Sequence, residues 1–521
     1  MNNVVVRTVA LAIGAGLIFL GAAVPAFAGT AGGPSRFVPG PCPEPDPPIP
    51  ALKNADCGFL VVPEDRSDPD SRTIRNAVAI IPAEASDPRP DPVVYLTGGP
   101  GGSAIGAVQN VVNAGANRDR DLIVMDQRGT LYSKPSLTCP VIDRWNSRVV
   151  GLRYDAASTG RGQTKATRKC RQSVVAKGAD PADYNTTENA ADFADLRRAL
   201  GIEQWNVIGA SYGTDLALTY MREHPRGIRS VTIDSVVPPH LATVGHSWTN
   251  AGQGMRHMFE ACADQPRCHS RYTPRRDLGR IVRQLERHPI TRYVKPALIP
   301  GDEPEPGAKK VKVVMDGGAF ANYMINITGA GFGTSVPALL HQFASGDRHT
   351  VLASQAGTGS LHAGELSYGL QYGVICSEWV PYEREVTVRR KGRLAFPKFP
   401  RSVLAQAPQF PFRYMDCPVW NVPKAPAAQR EVTRSDIPTL VLAGSFDSLT
   451  SSESAQYAAR TLPNSTFAEF PGSGHVVLNT SRCASRVFVS FLRRPNGPNT
   501  SCVDELEMPP FHVGPFKPSG G

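Results

Sequence analysis

An α/β fold, one sheet split into two halves by a mostly helical insertion, is what this sequence predicts. Three observations predict it. Short and largely apolar runs of strand length recur at Val93-Val94-Tyr95-Leu96, Leu122-Ile123-Val124-Met125, Trp205-Asn206-Val207-Ile208, Val231-Thr232-Ile233 and Thr439-Leu440-Val441-Leu442. Strands buried on both faces have this character. Helical stretches such as residues 190–200 lie between several of them, and strands alternating with helices make a parallel sheet with right-handed crossovers. The alternation stops at about residue 240 and resumes at Ile437.

Taken in order, residues 1–28 read as a signal peptide outside the fold. Arg7 is a basic start, residues 9–24 are apolar, and Ala26-Phe27-Ala28 is a small-x-small cleavage site. A membrane anchor is the competing reading. Gly14, Gly16, Gly21 and Pro25 interrupt the stretch, which is short and ends in a processing signal, so cleavage near Ala28 and a secreted, extracellular chain are expected. No second run of spanning length follows, so no stable membrane association is expected. Residues 29–56 are rich in Pro and Gly and predict an extended arm. Residues 58–62 and 74–81 predict a first strand pair around a polar turn. Residues 57–240 then form the first half of the core. Residues 241–430 form the cap, with helices at about 255–263, 276–287 and 319–327 and a loop at Glu303-Pro304-Glu305-Pro306-Gly307. Residues 431–521 supply the second half, with a C-terminal tail pinned by a disulfide.

Composition bounds the function. A chain of 521 residues with 41% hydrophobic and 20% charged residues is an ordinary soluble globular protein with a large core. Ten cysteines suit an oxidising compartment. Their order suggests local pairs, Cys42–Cys57, Cys139–Cys170, Cys262–Cys268, Cys376–Cys417 and Cys483–Cys502, although order alone leaves connectivity open. The chain has no C-x-x-C and no histidine pair at ligand spacing near a cysteine, which argues against a metal site. The net charge of +10 falls to +9 once Arg7 leaves with the signal peptide. The excess is spread thinly, as in Arg389-Arg390-Lys391, without interleaved aromatics. It reads as solvated surface and gives no case for nucleic acid. A monomer is expected.

The chemistry centres on Gly209-Ala210-Ser211-Tyr212-Gly213, placed after the run ending at Ile208 and before a helical stretch reaching Glu223. A G-x-S-x-G between strand and helix is the nucleophile elbow of α/β-hydrolases, a strained turn that presents the serine hydroxyl. That hydroxyl needs a base, and the base needs an anion to fix its tautomer, in the chain order Ser, acid, His. Asp447, in the loop after 439–442, and His475, in the Pro471-Gly472-Ser473-Gly474-His475 loop after the short strand 467–470, meet that order. Each has a plainer reading: Asp447 as a cap for a helix starting near Ser452, and His475 as one of eleven histidines. Together with the elbow they read as a triad. Acyl transfer also needs an oxyanion hole. The amide of Tyr212 supplies one donor, and the glycine-rich loop Thr97-Gly98-Gly99-Pro100-Gly101-Gly102-Ser103 the other. That loop lacks the Gly-Lys-Ser/Thr ending of a phosphate loop.

Gly98-Gly99-Pro100-Gly101-Gly102, Asp126-Gln127-Arg128-Gly129-Thr130 and Gly209-Ala210-Ser211-Tyr212-Gly213-Thr214 resemble the proline iminopeptidase family, and within it the secreted tripeptidyl aminopeptidases of actinobacteria. The resemblance runs from about residue 58 to 502 and includes the cysteine pattern. It implies an α/β-hydrolase sheet with an inserted, mostly helical cap domain. The implied activity is a serine exopeptidase that releases short peptides, tripeptides above all, from free N-termini through an acyl-enzyme without a cofactor. By the same resemblance Ser211, Asp447 and His475 are the triad, and Gly99 with Tyr212 forms the oxyanion hole. Cys376-Ser377-Glu378-Trp379 resembles the family's Cys-x-acid signature and makes Glu378 the candidate partner of the substrate's ammonium group. Two departures bear on substrate choice. The family's Asp-Pro-x-Thr-Pro acid loop is here Asp447-Ser448-Leu449-Thr450-Ser451, which predicts a less rigid loop, and Leu131 replaces a usual glycine, which predicts a narrower cleft. A secreted carboxylesterase with the same triad, and a non-catalytic cell-wall-binding protein on a hydrolase scaffold, are the alternatives.

Overall fold

The coordinates are a computed structural model and describe residues 35–515, apart from 242, 305, 360–363 and 406–412. The expected signal peptide and the first residues of the arm lie outside the described residues. Strands β1 (Arg36–Pro39), β2 (Asp56–Pro63), β3 (Thr73–Ile81), β4 (Val93–Leu96), β5 (Leu122–Met125), β6 (Trp205–Ala210), β7 (Ile228–Asp234), β10 (Thr439–Gly444) and β11 (Ser465–Phe470) form one sheet. Its order is β1-β2-β3-β5-β4-β6-β7-β10-β11. From β1 to β5 neighbours run antiparallel, and from β5 to β11 they run parallel. All five apolar runs fall in parallel strands, and β4, β5, β6 and β10 are buried at every residue. Helices on both faces leave these strands no wet side, hence their unbroken hydrophobicity. Two apolar clusters, one around Val124, Ile208 and Leu442 and one around Ile123, Val207 and Val441, fill the two faces. Alternate residues of each strand thus serve opposite layers.

Parallel strands deliver their following loops to a single edge. The loops after β4, β5, β6, β10 and β11 carry the glycine-rich stretch, Asp126, Ser211, Asp447 and His475 in turn. Over this edge sit the helices Thr243–Asp264, Pro274–Arg287, Gly317–Ile327, Val336–Ala344 and Glu385–Ala395, with their own core around Met255, Phe320 and Leu339. The segment also holds an antiparallel hairpin, β8 (Ile290–Val294) with β9 (Val311–Met315), which apolar periodicity did not reveal. In β8 only Val294 is buried, so the strand lacks the pattern that marks a core strand. The cap layer also draws on residues before 240. Helices Pro140–Val149 and Ala157–Ala176 pack around Tyr372 and Trp420 in a shared cluster. The Tyr372 hydroxyl binds Gln163, Thr167 and Asp416 at 3.0, 2.9 and 3.0 Å.

Five disulfides join the cysteines in the local pairs that their order suggests, with separations of 6 to 41 residues. Cys42–Cys57 fastens the N-terminal arm to β2. Among the described residues no helix is long and apolar enough to cross a membrane.

Candidate active site

At the elbow, Ser211 has φ 56° and ψ −128°, a conformation sparsely populated by residues with a side chain. Close packing holds it there. A Cβ on Gly213 would lie 2.0 Å from the Leu96 carbonyl oxygen, and one on Gly98 would lie 2.7 Å from the Ser211 Cβ. Only glycine lets the elbow and the loop after β4 approach so closely. The Ser211 amide donates to the Asp234 carbonyl at 3.0 Å, and its own carbonyl accepts from the Thr214 amide at 2.8 Å and the Thr214 hydroxyl at 2.6 Å.

Asp447 is fully buried and accepts from His475 Nδ1 at 2.8 Å. Its other oxygen accepts from the Leu449 and Thr450 amides at 2.8 and 2.9 Å, and the Thr450 hydroxyl adds a bond of 2.7 Å to Oδ2. Burial pushes the carboxyl pKa up, but the imidazole and these donors together hold it below the ordinary carboxylate value. The acid loop Asp447-Ser448-Leu449-Thr450-Ser451 is held by hydrogen bonds. Asn250 donates to the Leu449 carbonyl at 2.9 Å, and the Ser451 hydroxyl donates to Gln253 at 2.8 Å.

The histidine loop hangs from Asp234. This buried carboxylate accepts from the Val477 and Leu478 amides at 3.1 and 3.0 Å, and the neighbouring Ser235 hydroxyl accepts from the Val476 amide at 2.7 Å. The Asp234 pKa is pushed up to about 6 by burial, against the pull of those two amides. A second buried carboxylate, Asp126, ties the loop after β4 to the loop after β5. It accepts from the Ser103 hydroxyl at 2.8 Å and the Ile105 and Tyr132 amides at 3.1 and 3.0 Å. Arg128 of the same motif faces away from the rim. It is fully buried and grips both Asp192 oxygens at 2.9 Å.

Ser211 and His475 line one cavity of about 1140 Å³, together with Gly99, Tyr212 and Leu131. Among the described residues no hydrogen bond joins the Ser211 hydroxyl to the imidazole. In apo sites such bonds often close only around substrate. Neither the Gly99 nor the Tyr212 amide has a protein acceptor among the described residues, so both stay available to an oxyanion.

Glu378 is not brought to this cavity. It lies one layer behind Tyr212, 4% exposed, and both its oxygens accept from Thr186: the amide at 2.8 Å and the hydroxyl at 2.6 Å. Trp379 beside it does line the cavity. Among the described residues, the carboxylates that line the cavity are Asp46 and Glu365, both exposed and neither carried by a motif. Asp46 arrives on the arm pinned by Cys42–Cys57. Asp234 did offer a sequence signal, an acid at the very end of a predicted strand.

Glu378 has a different consequence. Burial, and then the charge of nearby Asp215, pushes its pKa up to about 8. A carboxyl with a raised folded pKa holds more protons folded than unfolded. Its stabilising share is complete below the unfolded value and is lost as pH rises through about 8. Thermal unfolding at pH 5 to 9 should therefore show a falling Tm in the wild type and a flatter profile in Glu378→Gln. Equal slopes would refute the assignment.

Among known proteins, residues 91–279 match the family described as alpha/beta hydrolase fold, and residues 407–503 match the family described as TAP-like protein. The tripeptidyl aminopeptidase of Streptomyces lividans is 29% identical over 194 residues, 36% of this chain and 36% of that one. The serine protease Hip1 of Mycobacterium tuberculosis is 29% identical over 207 residues, 38% of this chain and 39% of that one. The alignments thus span little more than a third of these relatives. The solved proline iminopeptidase of Mycobacterium smegmatis is 16% identical with a TM-score of 0.36, covering 84% of this chain and 98% of that one. By its fold the chain is an α/β-hydrolase, and in its matched segments it is similar to the tripeptidyl aminopeptidase and serine protease relatives of that fold.

Proposed function

We propose that the chain is a secreted serine exopeptidase that removes short peptides, tripeptides above all, from free N-termini. The observation that carries this reading is the charge of the cavity. In a chain with ten more basic than acidic residues, the cavity of Ser211 is lined by Asp46 and Glu365 and, among the described residues, by no lysine or arginine. Such a wall attracts an ammonium group and repels a carboxylate. The curated relatives named tripeptidyl aminopeptidase support the same reading, and the five disulfides support export.

In this reading His475 takes the proton of the Ser211 hydroxyl as the oxygen attacks the scissile carbonyl. Asp447 keeps Nδ1 protonated, so that Nε2 is the base, and stabilises the imidazolium. The Gly99 and Tyr212 amides receive the developing oxyanion, each worth about 3–4 kcal/mol in the transition state. His475 then protonates the leaving amine, and water activated by the same imidazole hydrolyses the ester. No step calls for a cofactor.

Purified mature protein should cleave unblocked tripeptidyl anilides and lose this activity when the amino terminus is acylated, and Ser211→Ala should lower turnover by about 10⁴-fold or more. Fast cleavage of short acyl esters with indifference to a free amine would instead make it a carboxylesterase. Glu365→Gln should raise KM for free-amine substrates about fivefold, the size of one partly exposed ion pair, with kcat unchanged. An unchanged KM removes Glu365 from recognition. Burial pushes the His475 pKa down, but the Asp447 charge and hydrogen bond more than offset it, so it ends above the ordinary 6.5. Because the base must be neutral, kcat/KM should rise with pH along an acid limb whose midpoint lies above 6.5. A midpoint below that value would contradict the geometry.

A further inference from the structure

A second cavity, of about 620 Å³, opens in the cap and shares no lining residue with the first. The two lie on different faces of the Thr243–Asp264 helix. His246, Ser247 and Asn250 line the Ser211 cavity, whereas Gly252, Gln253 and Arg256 line the cap cleft. The remaining walls come from the Pro274–Arg287 helix and from the end of the Glu385–Ala395 helix with the turn after it.

Its floor is apolar. Leu278, Phe396 and Phe399 are at most 8% exposed, and the Phe396 and Phe399 rings stack with centroids 4.6 Å apart. Leu394, 77% exposed, stands at the margin. The polar wall is cationic: Arg256, Arg275, Lys391 and Lys398 line the cleft, and among the described residues no Asp or Glu does. Countercharges are incomplete. Arg256 reaches Glu453 at 2.9 Å, but Arg275 and Lys391 meet their nearest carboxylates only at 3.8 and 3.9 Å, and Lys398 has no ion pair among the described residues. An apolar concavity of this size, with a few convergent charges of one sign, has the build of a small-molecule site.

We propose that this cleft binds a single anionic amphiphile, with an acyl chain against Phe396, Phe399 and Leu278 and a carboxylate or phosphate head among Arg275, Lys391 and Lys398. An acidic peptide would leave the aromatic floor unused, and a cationic ligand would meet only like charge. Concavity favours a monomeric ligand that enters over a bilayer that lies across. The Ser211 cavity has the opposite charge, so the same molecule is excluded there.

The test is calorimetric titration of the mature protein with dodecanoate and dodecyl phosphate below their micellar concentrations. Dodecyltrimethylammonium is the charge control, and phosphatidylglycerol vesicles are the bilayer control. Both anions should saturate one site, and the cationic amphiphile should bind at least about tenfold more weakly. Gly279→Leu should block the cleft and weaken binding by about tenfold. A Cβ there meets its nearest neighbour, the Arg283 guanidinium, at 3.4 Å, and a thermal melt matching wild type checks that the variant is folded. Arg275→Glu with Lys398→Glu should do the same through charge. Turnover of a small Ser211 substrate should be unchanged in both variants, which separates this site from the catalytic reading. No saturable binding, equal binding of the cationic amphiphile, no effect of either variant, or binding only to vesicles would each overturn the proposal.

Discussion

Two carboxylates taken wholly out of water hold together the rim that carries Ser211 and His475. Asp126 follows β5 and Asp234 ends β7, and both are fully buried. Each accepts backbone N–H groups from loops of the rim: Ile105 of the loop after β4 and Tyr132 of its own loop for Asp126, and Val477 and Leu478, more than two hundred residues on, for Asp234. A buried carboxylate without such donors is strongly disfavoured, so these loops are tied to the sheet by the need to satisfy a charge. The rim is therefore preorganised. Ser211, the Gly98–Gly99 backbone and His475 are set by strand ends rather than by the loops' own preferences.

The acid loop shows the same principle in another chemistry. This chain uses Thr450, Ser451 and Asn250 to bond the loop to Asp447 and to the cap helix behind it. The cap therefore helps to fix the loop that carries Asp447 as well as covering the site. Helix Thr243–Asp264 stands at the centre of this arrangement, with the acid-lined cavity on one face and the base-lined cleft on another. Net charge conceals this sorting, because the excess of basic residues lies away from the cavity of Ser211.

Much of the sheet was legible because parallel strands buried on both faces carry an unmistakable pattern, and because the elbow glycines answer a steric demand visible in their spacing. The helices at 212–223, 274–287 and 317–327 were likewise readable, since their apolar positions recur with helical period. The hairpin β8–β9 was not, because β8 is mostly exposed and its stability comes from its partner strand. Nor did the sequence indicate that helices 140–149 and 157–176 join the cap layer, a matter of packing on Tyr372 and Trp420 from more than two hundred residues away.

What the sequence determined by itself was local: the strand runs, the strained turn at Ser211, and the order of Ser, Asp and His; it suggested the cysteine pairs, and the tertiary structure joined them. The tertiary structure decided which charges face which space. Glu378 and Glu365 lie thirteen positions apart and look alike as residues, yet one is sealed behind Tyr212 against Thr186 and the other stands in the cavity wall. A side chain's surroundings depend on elements that arrive from elsewhere in the chain, and no local pattern encodes that arrival.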